Sequence, residues 1–248
     1  MIRRSFGSAA FINAGAGEVS VKPELRRVGV SQSPVVIIDD FSGDSEAIAS
    51  LAEALAPFPP NSGNYYPGVR RNITPADLAA DAYVESLCQQ SAQFIAGAFG
   101  FDRFNLEAAS FSMVTTDPNQ LIEPQRIPHF DSADPNYLAL LHYIRVPKDT
   151  GTAFYCQRTT GIERVTEANR EAFVRTAQAD VRRFPAYSGY IQGSNDFFEQ
   201  IGSVEGAADR LVIYQGSLLH SGIIPPGMTF SADPREGRLT ANIFVRGL

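Results

Sequence analysis

From residue 106 onward this chain is a succession of short β-prone runs separated by turn residues, and that pattern narrows its possible folds more than any other feature. LEAASFSMVTT, RIPHFD, YLALLHYIRV, GTAFYCQR, RLVIYQG, SLLHSGII and GRLTANIFVRG follow one another, and each reads as a strand. Ahead of them, PVVIIDDF (34–41) is a further β-branched run, and SGDSEAIASLAEALA continues with a cap at Ser42 or Asp44 and apolar residues at helical spacing. TPADLAADAYVESLCQQSAQFIAGAFG (74–100) has Thr74 as its cap, Pro75 at the first helical position and a closing glycine. Helices are therefore expected at about 44–56 and 75–98. Many short strands after two helices predict an α+β protein whose β part is a sandwich or a barrel.

The organisation expected is one main domain over 34–248, preceded by an extension or outer strand at 1–33. An insert at about 159–209 interrupts the strands, helical at EANREAFVRTAQADVRR and irregular at FPAYSGYIQGSNDFFEQIG. Inserts of this kind are often lids or substrate loops. Its Tyr187, Tyr190, Phe197 and Phe198 suit either an apolar or aromatic-bearing target or the docking of a lid on the barrel. The Pro- and Gly-rich loop at 57–73 contains YYPGVRRN, which reads equally as part of an active-site mouth or as a proline turn with two surface arginines.

A hydrophobic content of 44% in 248 residues is ample for a core. A net charge of -6 argues against a surface dedicated to nucleic acid, which needs clustered Lys and Arg. Cys88 and Cys156 lie far apart without CxxC spacing, so free thiols are expected. An arginine pair opens the chain, but Ser8, Asn13 and Gly15 break the apolar run that follows it. No segment approaches the roughly 18 uninterrupted apolar residues of a membrane span, and a cytoplasmic location is expected.

The chain has only three histidines, and one opens HFDSAD. On a strand, side chains two apart leave the same face with bases roughly 6 to 7 Å apart. His129 and Asp131 could therefore share a metal, although a turn histidine followed by a capping aspartate also explains the sequence. Imidazole suits iron or zinc, and a carboxylate adds charge and favours a hard ion such as Fe(II). His220 in GSLLHSGII offers a third ligand. If its strand pairs with GRLTANIFV, Arg238 enters the same cavity, and a period of two aligns Arg238, Thr240 and Asn242 on one face. A guanidinium beside a hydroxyl suits bidentate capture of a small carboxylate. His142, within LALLHYIRV, reads instead as a hydrogen-bonded core or rim residue.

An HxD pair, a distant histidine and an arginine on the next strand resemble the Fe(II)- and 2-oxoglutarate-dependent dioxygenase superfamily, in particular its prolyl-hydroxylase-like branch. PVVIIDDFSGDSEAIASL resembles that branch's opening strand and helix, and NYLALLHYIRVPKDTGTAFY its strands after the metal pair. DRLVIYQGSLLHSG and GRLTANIFVRG resemble its two closing strands; the likeness spans roughly 34–248 with the insert unmatched. It implies a double-stranded β-helix, a jelly-roll-like barrel, backed by the N-terminal helices. It also implies Fe(II) held by His129, Asp131 and His220, with 2-oxoglutarate bound by Arg238 and, as a lesser candidate, Thr240. The strand FSMVTTD lacks the tyrosine that many prolyl hydroxylases carry there, and the long step from His220 to Arg238 implies an extended hairpin in which Arg235 is a rival to Arg238. The activity implied is hydroxylation of a protein side chain, an amino acid or a small metabolite. Two other readings keep the barrel: a cupin-like metal enzyme that does not use 2-oxoglutarate, and a non-catalytic ligand-binding module.

Overall fold

The structure, a computed structural model, describes residues 4–7, 22–60, 65–183 and 189–248. In chain order its first elements are β1 (Ser5–Gly7), β2 (Glu24–Val28), β3 (Ser33–Ile38), α1 (Ser45–Ala54), β4 (Gly68–Asn72) and α2 (Leu78–Phe99). After them come β5 (Arg103–Val114), β6 (Tyr137–Arg145), β7 (Gly151–Gln157) and α3 (Arg170–Val181). The chain closes with β8 (Phe198–Glu205), β9 (Arg210–Gln215), β10 (His220–Ile223) and β11 (Leu239–Gly247). The larger sheet runs β1, β5, β11, β6, β9, β3, β2, with β4 also on β5, and the smaller runs β10, β7, β8. Every pairing between these strands is antiparallel. This is the α+β class expected from the sequence.

Alternation along the strands assigns each side chain to a layer. Leu138, Leu140 and Ile144 of β6, Leu211 and Ile213 of β9, and Leu239, Ala241, Ile243 and Val245 of β11 pack towards α1 and α2. Ala139, Leu141 and Tyr143, with Val212 and Tyr214, face the smaller sheet and meet its Phe154 and Val204. β3 is buried at every position because both its faces are covered. On the outer side of the smaller sheet, Ala153 and Tyr155 pack against Phe173 and Ala177 of α3.

Asp44 caps α1, its carboxylate accepting from Ala47 N at 2.9 Å. α2 begins later than expected. Asp77 folds back to accept from the amide and hydroxyl of Thr74, both at 2.8 Å, so Thr74 and Pro75 form a turn and the helix starts at Leu78. Gly100 ends it at φ 78°, a left-handed conformation that favours glycine. The extension contributes the outer strands β1 and β2, while the broken apolar run that follows the arginine pair lies mostly outside the described residues. RIPHFD is reduced from a strand to a single bridge at His129, and part of the expected irregular insert is the regular strand β8. Among the described residues, no helix is long and apolar enough to cross a membrane.

His142 points to the helix side, away from the smaller sheet. Its Nδ1 meets the Tyr83 hydroxyl at 2.7 Å and its Nε2 meets Asp209 Oδ1 at 2.9 Å. Asp209 also accepts from the Ser42 hydroxyl, the Ser42 amide and the Gly43 amide. Burial alone would raise its pKa, but the bonds from His142 and Ser42 outweigh that and hold the carboxyl at about 2, below its ordinary 3.8. The lowered value makes this node stabilising above pH 3.8, and the contribution is lost as the pH falls towards 2. Asp209→Ala should cost about 3 kcal/mol in urea unfolding at neutral pH, by stranding the imidazole and two amides. The difference from the unchanged protein should shrink as the acid limb is approached, and a pH-independent difference would contradict the node.

Candidate metal centre

His129, Asp131 and His220 come from two chain segments and converge. Each offers one ligand atom, and these atoms lie within 4.8 Å of one another. His129 Nε2 is 4.0 Å from Asp131 Oδ1, and His220 Nε2 is 3.5 Å from Asp131 Oδ2. The backbone imposes this convergence. His129 N donates to His220 O and His220 N donates to His129 O, both at 2.9 Å, which sets the two imidazoles 4.3 Å apart at their centroids. Asp131 N donates to Gly216 O at 2.7 Å. Gly216 permits that approach, since a Cβ there would come within 2.8 Å of the Tyr137 ring and 3.2 Å of Asp131 Cβ.

His220 Nδ1 lies 2.8 Å from the Leu218 carbonyl, which can only accept, so this nitrogen carries the proton and Nε2 presents its lone pair to Asp131 and His129. His129 lines a cavity, its side chain 53% exposed. Desolvation by the walls, then the charges of His220 and Arg70, hold its pKa well below the ordinary imidazole value. The neutral ring is the form that ligates a metal. Burial raises the Asp131 pKa, with His220 and Arg70 opposing it. Two imidazoles and a carboxylate form a donor set that a divalent ion fits.

The cavity has a volume of about 1000 Å³, and Arg238, Thr240 and Asn242 line it together with the triad. The expected pairing that was to bring Arg238 to His220 does not occur. β10 pairs with β7 and β11 with β5 and β6, so His220 and Arg238 approach from opposite sheets and the connection between them is not a hairpin. Arg235 is engaged by Asp233 at 2.6 Å, with its side chain 70% exposed. Arg238 is 4% exposed; its NH2 group donates to Gly151 O at 3.3 Å, its charge lies 5.4 Å from the Tyr143 ring centre, and its Nε has no partner among the described residues. Thr240 is buried beside it, its hydroxyl 3.5 Å from Ser112 O.

Tyr66 brings a hydroxyl that the sequence of β5 lacks. Its buried oxygen has no hydrogen-bond partner among the described residues, lies near the Ser112 and Thr240 hydroxyls, and has its pKa raised by burial against the opposing charges of Arg238 and Arg70. Tyr66 and Arg70 place the YYPGVRRN segment at the cavity, in line with the mouth reading. Arg158 points elsewhere, bonding Glu199 at 3.2 Å and Asn195 O at 2.9 Å. From the insert, Phe173 and Ala177 of α3 and Tyr190 line the cavity, whereas Phe198 is buried in the packing beneath α3 and Tyr187 lies outside the described residues. Of the two thiols, Cys88 is buried and Cys156 partly so, and both are free.

The arrangement of two facing antiparallel sheets is similar in fold to solved structures. HygX from Streptomyces hygroscopicus, with nickel and 2-oxoglutarate bound, matches at TM-score 0.50 and 14% identity over 88% of this chain and 84% of its own. SnoN, a non-heme alpha ketoglutarate dependent epimerase from nogalamycin biosynthesis, matches at TM-score 0.51 and 14% identity over 88% of this chain and 79% of its own. The chain belongs to a family of unknown function, DUF6445, whose pattern it matches over residues 19–245. No curated protein matches it.

A buried guanidinium without a carboxylate is costly to the ligand-free protein. Arg238→Met should therefore raise the stability of that state by about 1 kcal/mol, seen as a higher midpoint in thermal unfolding. A lower midpoint would mean that the bond to Gly151 and the Tyr143 contact outweigh the cost of the charge.

Proposed function

We propose that this protein is an Fe(II)- and 2-oxoglutarate-dependent oxygenase on a double-stranded β-helix, and that it hydroxylates a small molecule or peptide. The reading rests above all on one observation: two imidazoles and a carboxylate converge within 4.8 Å in a cavity that also contains a buried guanidinium with no acidic partner. His129, Asp131 and His220 would hold the iron, and Arg238 the far carboxylate of 2-oxoglutarate. With both bound, they would supply activation of dioxygen, one oxygen atom going to a substrate C–H bond and the other to the succinate that forms, with carbon dioxide, from 2-oxoglutarate.

The chain contributes geometry, charge and exclusion of water. The bond from His220 to the Leu218 carbonyl fixes which nitrogen faces the metal. Arg238 meets one carboxylate with a planar fork, and the hydroxyls of Tyr66 and Thr240 stand beside it as further donors. Tyr214, its ring 4.8 Å from that of His220, walls the triad on one side. The net charge of -6 favours a small-molecule or peptide substrate over nucleic acid, and we place the reaction in the cytoplasm.

Alanine at His129, Asp131 or His220 should abolish binding of Fe(II) or Mn(II) at micromolar metal, measured by calorimetry. Arg238→Ala should keep the metal and weaken 2-oxoglutarate by roughly a hundredfold. Iron-loaded protein should release succinate slowly without added substrate. Retained metal binding in any of the three ligand variants would contradict the assignment. Mn(II)-loaded protein that 2-oxoglutarate does not protect from heat would point to a cosubstrate-free metal enzyme, and bound 2-oxoglutarate without succinate would point to a binding module.

A further inference from the structure

Arg70 and Arg182 are cations of the cavity lining for which the reading above has no use, and Arg70 is the one held in place. It lies on β4 opposite Ser112 of β5, which is opposite Thr240 of β11, which is opposite Tyr143 of β6. The four residues form a row across one face of the larger sheet. Ser112 Oγ accepts from Arg70 Nε at 3.1 Å, and the guanidinium carbon lies 4.6 Å from the centre of the Tyr66 ring. The fork is thus held at one nitrogen and supported from one side. Its two terminal nitrogens have no acidic partner among the described residues, and the residue lines the cavity. The triad lines the same cavity. Asn242, two positions beyond Thr240 and on the same face, adds a buried amide nitrogen that also lacks a partner.

We propose that Arg70 anchors the substrate through an anionic group, and that the substrate is an organic monocarboxylate with an apolar, aromatic-sized body. Arg70 is held by Ser112 and the Tyr66 ring, and one immobilised guanidinium matches one carboxylate; Arg182, the other unassigned arginine of the lining, is exposed. The apolar body is fixed by the apolar part of the lining, where Phe130, Phe173 and Ala177 form one cluster and Tyr190 packs in another with Tyr66. A volume of about 1000 Å³ leaves space for a second organic molecule beside the cosubstrate. The assignment deepens the oxygenase reading and rests on it for the reaction, but the anchor itself is a statement about binding. The rival source of the same chemistry is the second carboxylate of 2-oxoglutarate.

The test compares N-acetyl-L-phenylalanine with N-acetyl-L-phenylalanine amide, which share a body and differ in the charge. Binding is followed by ligand-observed NMR, with Mn(II) and saturating 2-oxoglutarate and again with neither. The unchanged protein should prefer the carboxylate about tenfold or more. Arg70→Met should bring the two probes within about twofold, Arg70→Lys should retain part of the preference, and both variants should keep the affinity for 2-oxoglutarate. Circular dichroism checks that each variant is folded. A preference that survives Arg70→Met, no preference in the unchanged protein, or a loss of 2-oxoglutarate affinity in step with the preference would each overturn the proposal. Failure of the oxygenase reading shows separately, as an unchanged protein that takes up no 2-oxoglutarate with Mn(II). The measurement without metal and cosubstrate then decides the anchor by itself.

Discussion

The two-residue alternation of the strands in the larger sheet is the constraint on which the rest depends. On β5, Ala109, Phe111 and Met113 go to the helices while Ser110 and Ser112 point the other way. On β11, Leu239, Ala241, Ile243 and Val245 go to the helices while Thr240 and Asn242 point the other way. The helix layer takes the apolar set, and the opposite face retains hydroxyls, an amide and arginines where β4, β5 and β11 meet. A one-residue slip would exchange the two sets, burying polar groups under α2 and leaving the cavity without them.

The triad depends on less regular structure. His129 and Asp131 lie on a segment that makes one bridge to the start of β10, and that bridge is the reciprocal pair of backbone bonds with His220. Gly216 adds the second fixed point under Asp131. The electrostatic consequence is one-sided. Desolvation lowers the His129 pKa and raises that of Asp131, while Arg238 is buried with no acid paired to it among the described residues. Each of these departures becomes favourable once a cation sits between the imidazoles and an anion sits on the guanidinium, so the ligand-free site carries a cost that binding relieves.

The strands, the two helices and the three converging residues were legible because each has a local signature. Alternation gave the strands, caps and spacing gave the helices, and the HxD pair with a distant histidine gave the triad. What failed were the inferences that needed partners. Nothing local tells that β10 and β11 belong to different sheets, so the correct cavity was reached through an incorrect pairing. The start of α2 moved because Asp77 bonds back to Thr74, a choice decided by a turn rather than by helix propensity. Tyr66 and Arg70 lay in a loop whose arginines read equally as surface residues. Only the register of β4 against β5 turns Arg70 inward, and the one hint in sequence was the alternation of Ser110 and Ser112 with Phe111 and Met113.

A site assembled from two sheets stays in register only if the sheets are tied to each other, and polar ties are present here. Tyr143 of the larger sheet bonds Thr152 of the smaller at 2.6 Å, next to Arg238. At the far edge, Arg26 of β2 donates to Ser203 O of β8 at 3.0 Å. Between them, Glu163, just past β7, accepts from the Val30 and Ser31 amides at 2.8 and 2.9 Å, pinning the β2–β3 turn. Apolar packing between Phe154 and Tyr214 fills the space these bonds enclose. Hydrophobic contact alone would let the sheets slide by the small steps that a metal site does not tolerate, since packing is non-directional. Directional bonds in the middle and along the β2 side help to convert two packed sheets into one frame, which carries His220 on one sheet and Arg238 beside the other.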